Sequence, residues 1–380
     1  MTLSDEKPGE AGLEAFHRGD FASAFAKLSE FISSDHYNYD YIFAAAASAR
    51  AIGRHQDALN AAEKILKFNE SDVHALVIKG DALSGLGKNR QAMSFFLAAL
   101  KSAPQNPSPQ IQQALQHAQQ KCAQAAQEYQ DFLRKSVAKT GAVDPGSRNQ
   151  QAMEILLGGK QIYYQRPEKF YFPELPQRQF YDPAEFNWVN DLIAAADDIR
   201  GELNALLADH AGFVPYVDAN SDAPHVRASA LTGSKDWSAF HLLKDGVRID
   251  ENADRCPKTM AALANTPQAN LPGKSPIALF SRLAPGAHIP PHTGLMNTRL
   301  ICHLPLITPG NCSLRVGNQT RKWRDGEMLI FDDSIEHEAR NESNEDRIIL
   351  LFDIWRPELS AEERKFVATV FDAIEEFGVF

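Results

Sequence analysis

Gly19, Gly53 and Gly87 stand 34 residues apart, and Ala24, Ala58 and Ala92 keep the same interval. A period of this length constrains the fold strongly. Each unit must be a small motif that cannot bury its apolar face alone and so stacks on the next. Earlier in each unit come Gly12, Ala46 and Gly80, and later an apolar pair at helical spacing, Leu28/Phe31, Ala62/Ile65 and Phe96/Ala99. The pattern predicts two helices per unit, a tight turn at the glycine, and small residues where the helices approach most closely.

The repeat resembles the tetratricopeptide family, without its early tryptophan and with its closing proline only once, as Pro104. From Pro109 to about Ser136 the chain is rich in Gln and Ala, with Ala114, Ala118, Cys122, Ala125 and Tyr129 at helical intervals. Such a helix, polar on its outer side, caps a short solenoid. Its apolar stripe is too thin and short for a free coiled coil. Lys139 to Ser147 is rich in Gly, Pro and Ser character, and reads as a linker. The expected organisation is an all-α tetratricopeptide-like solenoid over residues 9–136, a linker over 137–150, and a second domain over 151–380.

With 380 residues the chain can bury two cores. Its net charge of -10 argues against nucleic acid or an anionic membrane as the main partner. The start, Met1 to Pro8, has no basic stretch leading into an apolar one, and no apolar run approaches the ~18 residues that span a bilayer. No membrane insertion and a cytoplasmic location are the expectation. Cys122, Cys256, Cys302 and Cys312 are scattered without a paired spacing, which predicts free, buried thiols rather than a zinc site or disulfides.

After Tyr163 the pattern changes to short aromatic and apolar runs broken by proline. One helix is expected over Phe186 to Leu207. Strands are expected at Ile277 to Phe280, Thr298 to Leu306, Ser313 to Val316, Glu327 to Phe331 and Ile348 to Trp355, separated by turns such as Pro309-Gly310-Asn311 and Asp325-Gly326. Many short antiparallel strands at this spacing predict a jelly roll. The two-residue period puts Arg299, Ile301 and His303 on one face and Leu300, Cys302 and Leu304 on the other, and Ser281 with Leu279 and Leu283.

Two histidines and an arginine carry the chemistry. His292 follows Pro290-Pro291, His337 follows Asp332-Asp333-Ser334-Ile335-Glu336, and Arg347 opens the run Ile348 to Phe352. Imidazoles bind Fe(II) well, and a guanidinium suits a carboxylate co-substrate. Simpler readings stand beside this one: each histidine as a satisfied core or turn residue, Asp332 and Asp333 as turn caps, Arg347 as a structural ion-pair partner. His288 and His292 have the spacing of a helical zinc pair, but Pro290 and Pro291 prevent that helix.

The stretch from Ser281 to Leu359 resembles the aspartyl/asparaginyl β-hydroxylase family. The resemblance rests on Ser281 to Gly286, His292-Thr293-Gly294, Gly326 to Ser334 and Trp355-Arg356-Pro357-Glu358-Leu359. Weaker similarity reaches back to about residue 160. The resemblance implies a double-stranded β-helix (cupin-like) domain with flanking helices, dependent on Fe(II) and 2-oxoglutarate, and some members carry tetratricopeptide repeats before it. His292 and His337 would be the metal ligands, and Ser281, His303 and Arg347 would hold 2-oxoglutarate. Gly294 stands where many such oxygenases supply a carboxylate ligand, so water would fill that position. Asp333, or Asp332, would hydrogen-bond this water. Arg299 matches a cationic position of the family facing the substrate, whereas Ile301 replaces another arginine. The expected activity uses O2 and 2-oxoglutarate to hydroxylate an unactivated C–H bond, foremost the β-carbon of an Asp/Asn-type residue in a peptide or protein docked by the repeats. The alternatives are a free amino acid or lipid acyl chain as substrate, or a catalytically inactive interaction protein.

Overall fold

The computed structural model describes residues 3–141, 144–210, 212–217 and 231–378, which fall into two compact units meeting in sequence at Met153 and Glu154. In the first unit, helices α1 (Leu3–His17), α2 (Phe21–Leu28), α3 (Glu30–Ser33), α4 (Tyr39–Ala51), α5 (His55–Phe68), α6 (Val73–Gly85), α7 (Asn89–Lys101) and α8 (Pro109–Ala138) stack in antiparallel pairs. Each expected turn glycine takes a left-handed conformation: φ is 78° at Gly19, 74° at Gly53 and 75° at Gly87. A side chain there would strain the backbone, which explains why this position repeats.

The small residues also do what the spacing predicts. A Cβ at Gly12 would lie 2.5 Å from Cγ of Leu28, and one at Gly80 would lie 2.6 Å from Cε1 of Phe96. The equivalent pair in the middle unit, Ala46 and Ala62, is fully buried and small on both sides. Size is thus traded across the helix pair. Gly80→Val should cost the solenoid about 1–3 kcal/mol, because Phe96 is itself fully buried and cannot retreat. A denaturant midpoint unchanged in this variant would contradict the packing.

Two details depart from the expectation. The second helix of the first unit breaks at Ser29 into α2 and α3. On α8 the stripe packs only from Ile111 to Cys122, and Tyr129 is 56% exposed. The expected linker also contains the start of a helix, α9 (Arg148–Leu156), which spans the division between the units and begins where Ser147 Oγ accepts from the Gln150 N–H.

The second unit is an antiparallel β-sandwich. Its strands are β1 (Phe180–Tyr181), β2 (Val214–Pro215), β3 (Trp237–Lys244), β4 (Val247–Arg248), β5 (Ala278–Leu283), β6 (His288–His292), β7 (Arg299–Ile307), β8 (Cys312–Val316), β9 (Gln319–Lys322), β10 (Leu329–Phe331), β11 (His337–Asn341) and β12 (Arg347–Trp355). The larger sheet runs β1-β10-β7-β12-β5-β3-β2, with β4 on β3; the smaller runs β6-β11-β8-β9. The crossovers between the two sheets make this a jelly roll, the double-stranded β-helix architecture.

Both faces of the larger sheet are covered, so β7 and β12 read as nearly continuous apolar runs. Leu300, Cys302, Leu304, Leu350 and Phe352 pack under the helices α10 (Val189–Ala194) and α11 (Ala196–Ala208), with Leu192, Ile199 and Leu203. The expected single helix over Phe186 to Leu207 is therefore two, divided at Ala195 and starting at Val189, although one apolar stripe runs through both. On the opposite face Leu279, Leu283, Ile301, Ile349 and Leu351 meet Ile289, Leu314, Val316 and Ala339 of the smaller sheet. Short helices α12 (Asp250–Ala253) and α13 (Pro257–Leu263) follow β4, and the last helix, α14 (Ala361–Phe377), buries Val367 and Phe371 with Trp355. The four cysteines are free, Cys122 being half-buried and the others buried.

Candidate active site

His292 ends β6 and His337 begins β11, and the antiparallel register sets them directly opposite each other. Their ring centroids are 4.1 Å apart. Each Nδ1–H donates to a backbone carbonyl two residues earlier, His292 to Pro290 at 2.8 Å and His337 to Ile335 at 3.1 Å. These bonds select the tautomer that leaves Nε2 as a lone-pair donor on both rings. Burial keeps both imidazoles neutral: it lowers the pKa of His292 and takes that of His337 down to about 3. Two neutral, oriented imidazoles are a suitable donor pair for a divalent transition metal. Among the described residues no group of three or more His, Cys, Asp or Glu side chains is arranged to hold a metal. His288 takes no part with His292, because β6 is extended and its Nε2 contacts Glu338 at 2.7 Å.

The rings open onto a cavity of about 1160 Å³ between the two sheets, lined by Ser281, Arg299, Ile301, His303, Asp333, Arg347, Ile349 and Leu351 among others. Ser281, His292, Arg299, His303, Asp333, His337 and Arg347, all singled out in the sequence, border it. The neighbouring aspartates, which the sequence leaves as alternatives, part company here. Asp332 is fully buried away from the cavity, accepting from Arg356 Nη1 at 2.7 Å, Gln165 Nε2 at 2.6 Å and the Ser334 N–H at 3.0 Å. Asp333 faces inward. A Cβ at Gly294 would lie 2.0 Å from its Oδ2, so the carboxylate of residue 333 fills the space a side chain at residue 294 would need. The Gly294 N–H donates to the Asp333 carbonyl at 2.7 Å and locks the two segments together. Burial raises the Asp333 carboxyl to about 7, against the pull of Arg299, and its Oδ1 has no protein partner.

Arg347 is 1% exposed. Its guanidinium lies over the Trp323 ring at 4.6 Å and makes one long bond, Nη1 to the Ser281 carbonyl at 3.4 Å. Among the described residues Nε has no partner and the group forms no ion pair. Burial alone depresses it to about 10, the mark of a cation left without its counter-charge. Beside it, His303 Nδ1 accepts from Trp323 Nε1 at 3.2 Å, which leaves Nε2–H as a donor, and Ser281 Oγ accepts from Trp237 Nε1 at 3.2 Å. Sequence reasoning passed over these tryptophans, and over Asp353, whose partner is Arg299. The one available signal for Asp353 was an acidic residue inside a fully apolar strand, which demands a buried partner.

The second unit is thus a jelly roll that holds two facing imidazoles and a buried guanidinium in one cavity. Residues 194–357 match the family model described as Aspartyl/Asparaginyl beta-hydroxylase. Among curated relatives, Aspartate beta-hydroxylase domain-containing protein 2 of Xenopus tropicalis is 33% identical over 54% of this chain and 55% of its own. Ornithine lipid ester-linked acyl 2-hydroxylase of Rhizobium tropici is 33% identical over 49% of this chain and 63% of its own. Human Aspartyl/asparaginyl beta-hydroxylase is 38% identical over 36% of this chain and 18% of its own. The chain thus spans less than two thirds of the length of each. Similar solved structures include the Sgt2 TPR domain of Aspergillus fumigatus (20% identity, 33% of this chain, 83% of that one, TM-score 0.28) and the Cnp3 cupin domain of Schizosaccharomyces pombe (11%, 39%, 76%, TM-score 0.23). Among the described residues no helix is long and apolar enough to cross a membrane.

Proposed function

We propose that the second unit is an Fe(II)- and 2-oxoglutarate-dependent dioxygenase that hydroxylates an unactivated C–H bond of a peptide or protein. The observation that carries this reading is Arg347, a fully buried guanidinium with no acidic partner among the described residues, in the same cavity as the paired histidines. A lone buried cation costs several kcal/mol, and a carboxylate ligand offsets that cost. Its planar fork suits the distal carboxylate of 2-oxoglutarate, with the Ser281 hydroxyl and His303 Nε2–H as further contacts. His292 and His337 would hold the iron. Once bound, the metal and co-substrate supply the oxidising chemistry, in which O2 converts 2-oxoglutarate to succinate and CO2 and one oxygen atom enters the C–H bond. The protein's own part is orientation. It fixes both imidazole tautomers, keeps Asp333 in place of a third side-chain ligand, and surrounds the reaction with apolar walls that exclude water.

Arg347→Ala should weaken 2-oxoglutarate binding by about 2 kcal/mol or more, roughly thirtyfold in half-saturation for succinate formation. Arg347→Lys should recover part of it, since a point charge cannot make the bidentate contact. Unchanged half-saturation in the alanine variant would reject the co-substrate assignment.

A concave solenoid holds an extended segment or another protein, and we assign the repeats the docking of a protein substrate. The half-saturation for such a substrate should rise at least tenfold in a fragment beginning at Gln150. Equal values for intact chain and fragment would remove the docking role.

A further inference from the structure

Arg299, the second buried cation of the cavity, is paired with an acid. Arg299, 5% exposed, donates from Nη1 to Asp353 Oδ2 at 2.8 Å and to Ser275 Oγ at 3.0 Å, while its Nη2 lies 3.8 Å from Asp333 Oδ2. Asp353 also accepts from the Ile277 N–H at 2.9 Å and from the Ser275 hydroxyl. Burial pushes its carboxyl upward, but three donors on two oxygens hold it as the carboxylate. Asp353 stands opposite Ile301 on β7, two positions along from Arg299 on the same face, so the sheet itself sets this pairing.

On the reading proposed above, the remaining charges are Arg347, a divalent metal and a dianionic co-substrate. Two arginines then balance two aspartates, and the metal balances 2-oxoglutarate. Of the other charged groups among the described lining residues, Arg166 and Glu168 are exposed and solvated, and Glu336 is paired with Arg315 at 3.0 Å. An acidic substrate would bring a carboxylate with no unpaired buried cation among the described residues left to meet it, and an uncompensated buried charge costs several kcal/mol. An aliphatic group meets no such penalty, because Ile301, Ile349 and Leu351 wall the same space.

We infer that the part of the substrate entering this cavity is uncharged and aliphatic, and that Asp353 sets this specificity by occupying Arg299. The inference rests on the proposed co-substrate reading, and one binding experiment separates the two. The intact chain, with Zn(II) in place of iron at pH 8, is titrated calorimetrically with 2-oxoglutarate and then with one of two acetylated, amidated pentapeptides. These have four glycines around a central leucine or aspartate, side chains of nearly the same shape that differ in charge. The leucyl peptide should bind at least tenfold tighter. Asp353→Asn, which frees Arg299, and Ile301→Arg, which adds a cation, should each move the ratio at least tenfold toward the aspartyl peptide. Equal response to the two peptides in the native chain, absence of binding included, overturns the inference, as does an aspartyl preference. That comparison needs no variant, so it decides even if neither substitution folds. Failure of 2-oxoglutarate to bind in the first titration sinks the co-substrate reading, whereas an aspartyl preference with 2-oxoglutarate bound sinks only the specificity.

Discussion

His337→Ala should abolish Fe(II)-dependent succinate formation, and His292→Ala should do the same. These are the expected results with the largest effect, because each imidazole is one of only two proposed protein donors. The two rings face each other at 4.1 Å, no third His, Cys, Asp or Glu among the described residues joins them as a metal-holding group, and residue 294 is glycine. A site with two protein donors loses half of them in either variant, whereas a site with three would keep two. The structural cost is distinguishable from the chemical one: His337 gives its Nδ1–H to a backbone carbonyl at a strand start, so melting should change far less than turnover. Metal binding should be measured alongside succinate. Retained Fe(II) affinity with full succinate yield in His337→Ala would reject the assignment of the metal centre.

Gly294→Ala should destabilise the second unit by about 1–3 kcal/mol, although the change adds a single methyl group. The added carbon would lie 2.0 Å from Asp333 Oδ2 and 2.3 Å from its Cγ, and the backbone bond between the two residues prevents them from moving apart. Gly294→Asp, the change that would supply the missing carboxylate ligand, should do worse, since it places a second negative group where one already sits. Removing the obstacle reverses the sign: in an Asp333→Gly background, a side chain at residue 294 should be tolerated. A double-mutant cycle in the melting free energy should therefore show a coupling above ~1 kcal/mol. Additive effects would mean that the two positions do not share one space.

Much of this protein was legible from local patterns. The turn glycines at 19, 53 and 87 could be read because a left-handed backbone is a property of one residue, whatever surrounds it. The faces of β7 could be read because alternation is enforced by the strand, so Arg299, Ile301 and His303 fall together once the strand is recognised. His292 and His337 were also visible, although only resemblance to a family distinguished them from ordinary buried histidines. Where the pattern was less regular the reading was weaker: one apolar stripe over Phe186 to Leu207 cannot show that the helix divides at Ala195, and Tyr129 shares the stripe of α8 but extends past the part that packs.

What the amino-acid order determined by itself is the list of parts: a helical repeat, a set of short strands, two imidazoles, and a glycine where a ligand could have stood. Tertiary structure decided the assignments among the charged groups. Asp332 and Asp333 are adjacent in an irregular turn, where no period dictates direction, and only the placement of Arg356 and Gln165 turns one away and leaves the other beside Gly294. In the same way Arg299 finds Asp353 across a sheet register 54 residues away, while Arg347 finds no acid among the described residues. Ion pairing depends on distance and burial in space, and neither can be read from spacing along the chain.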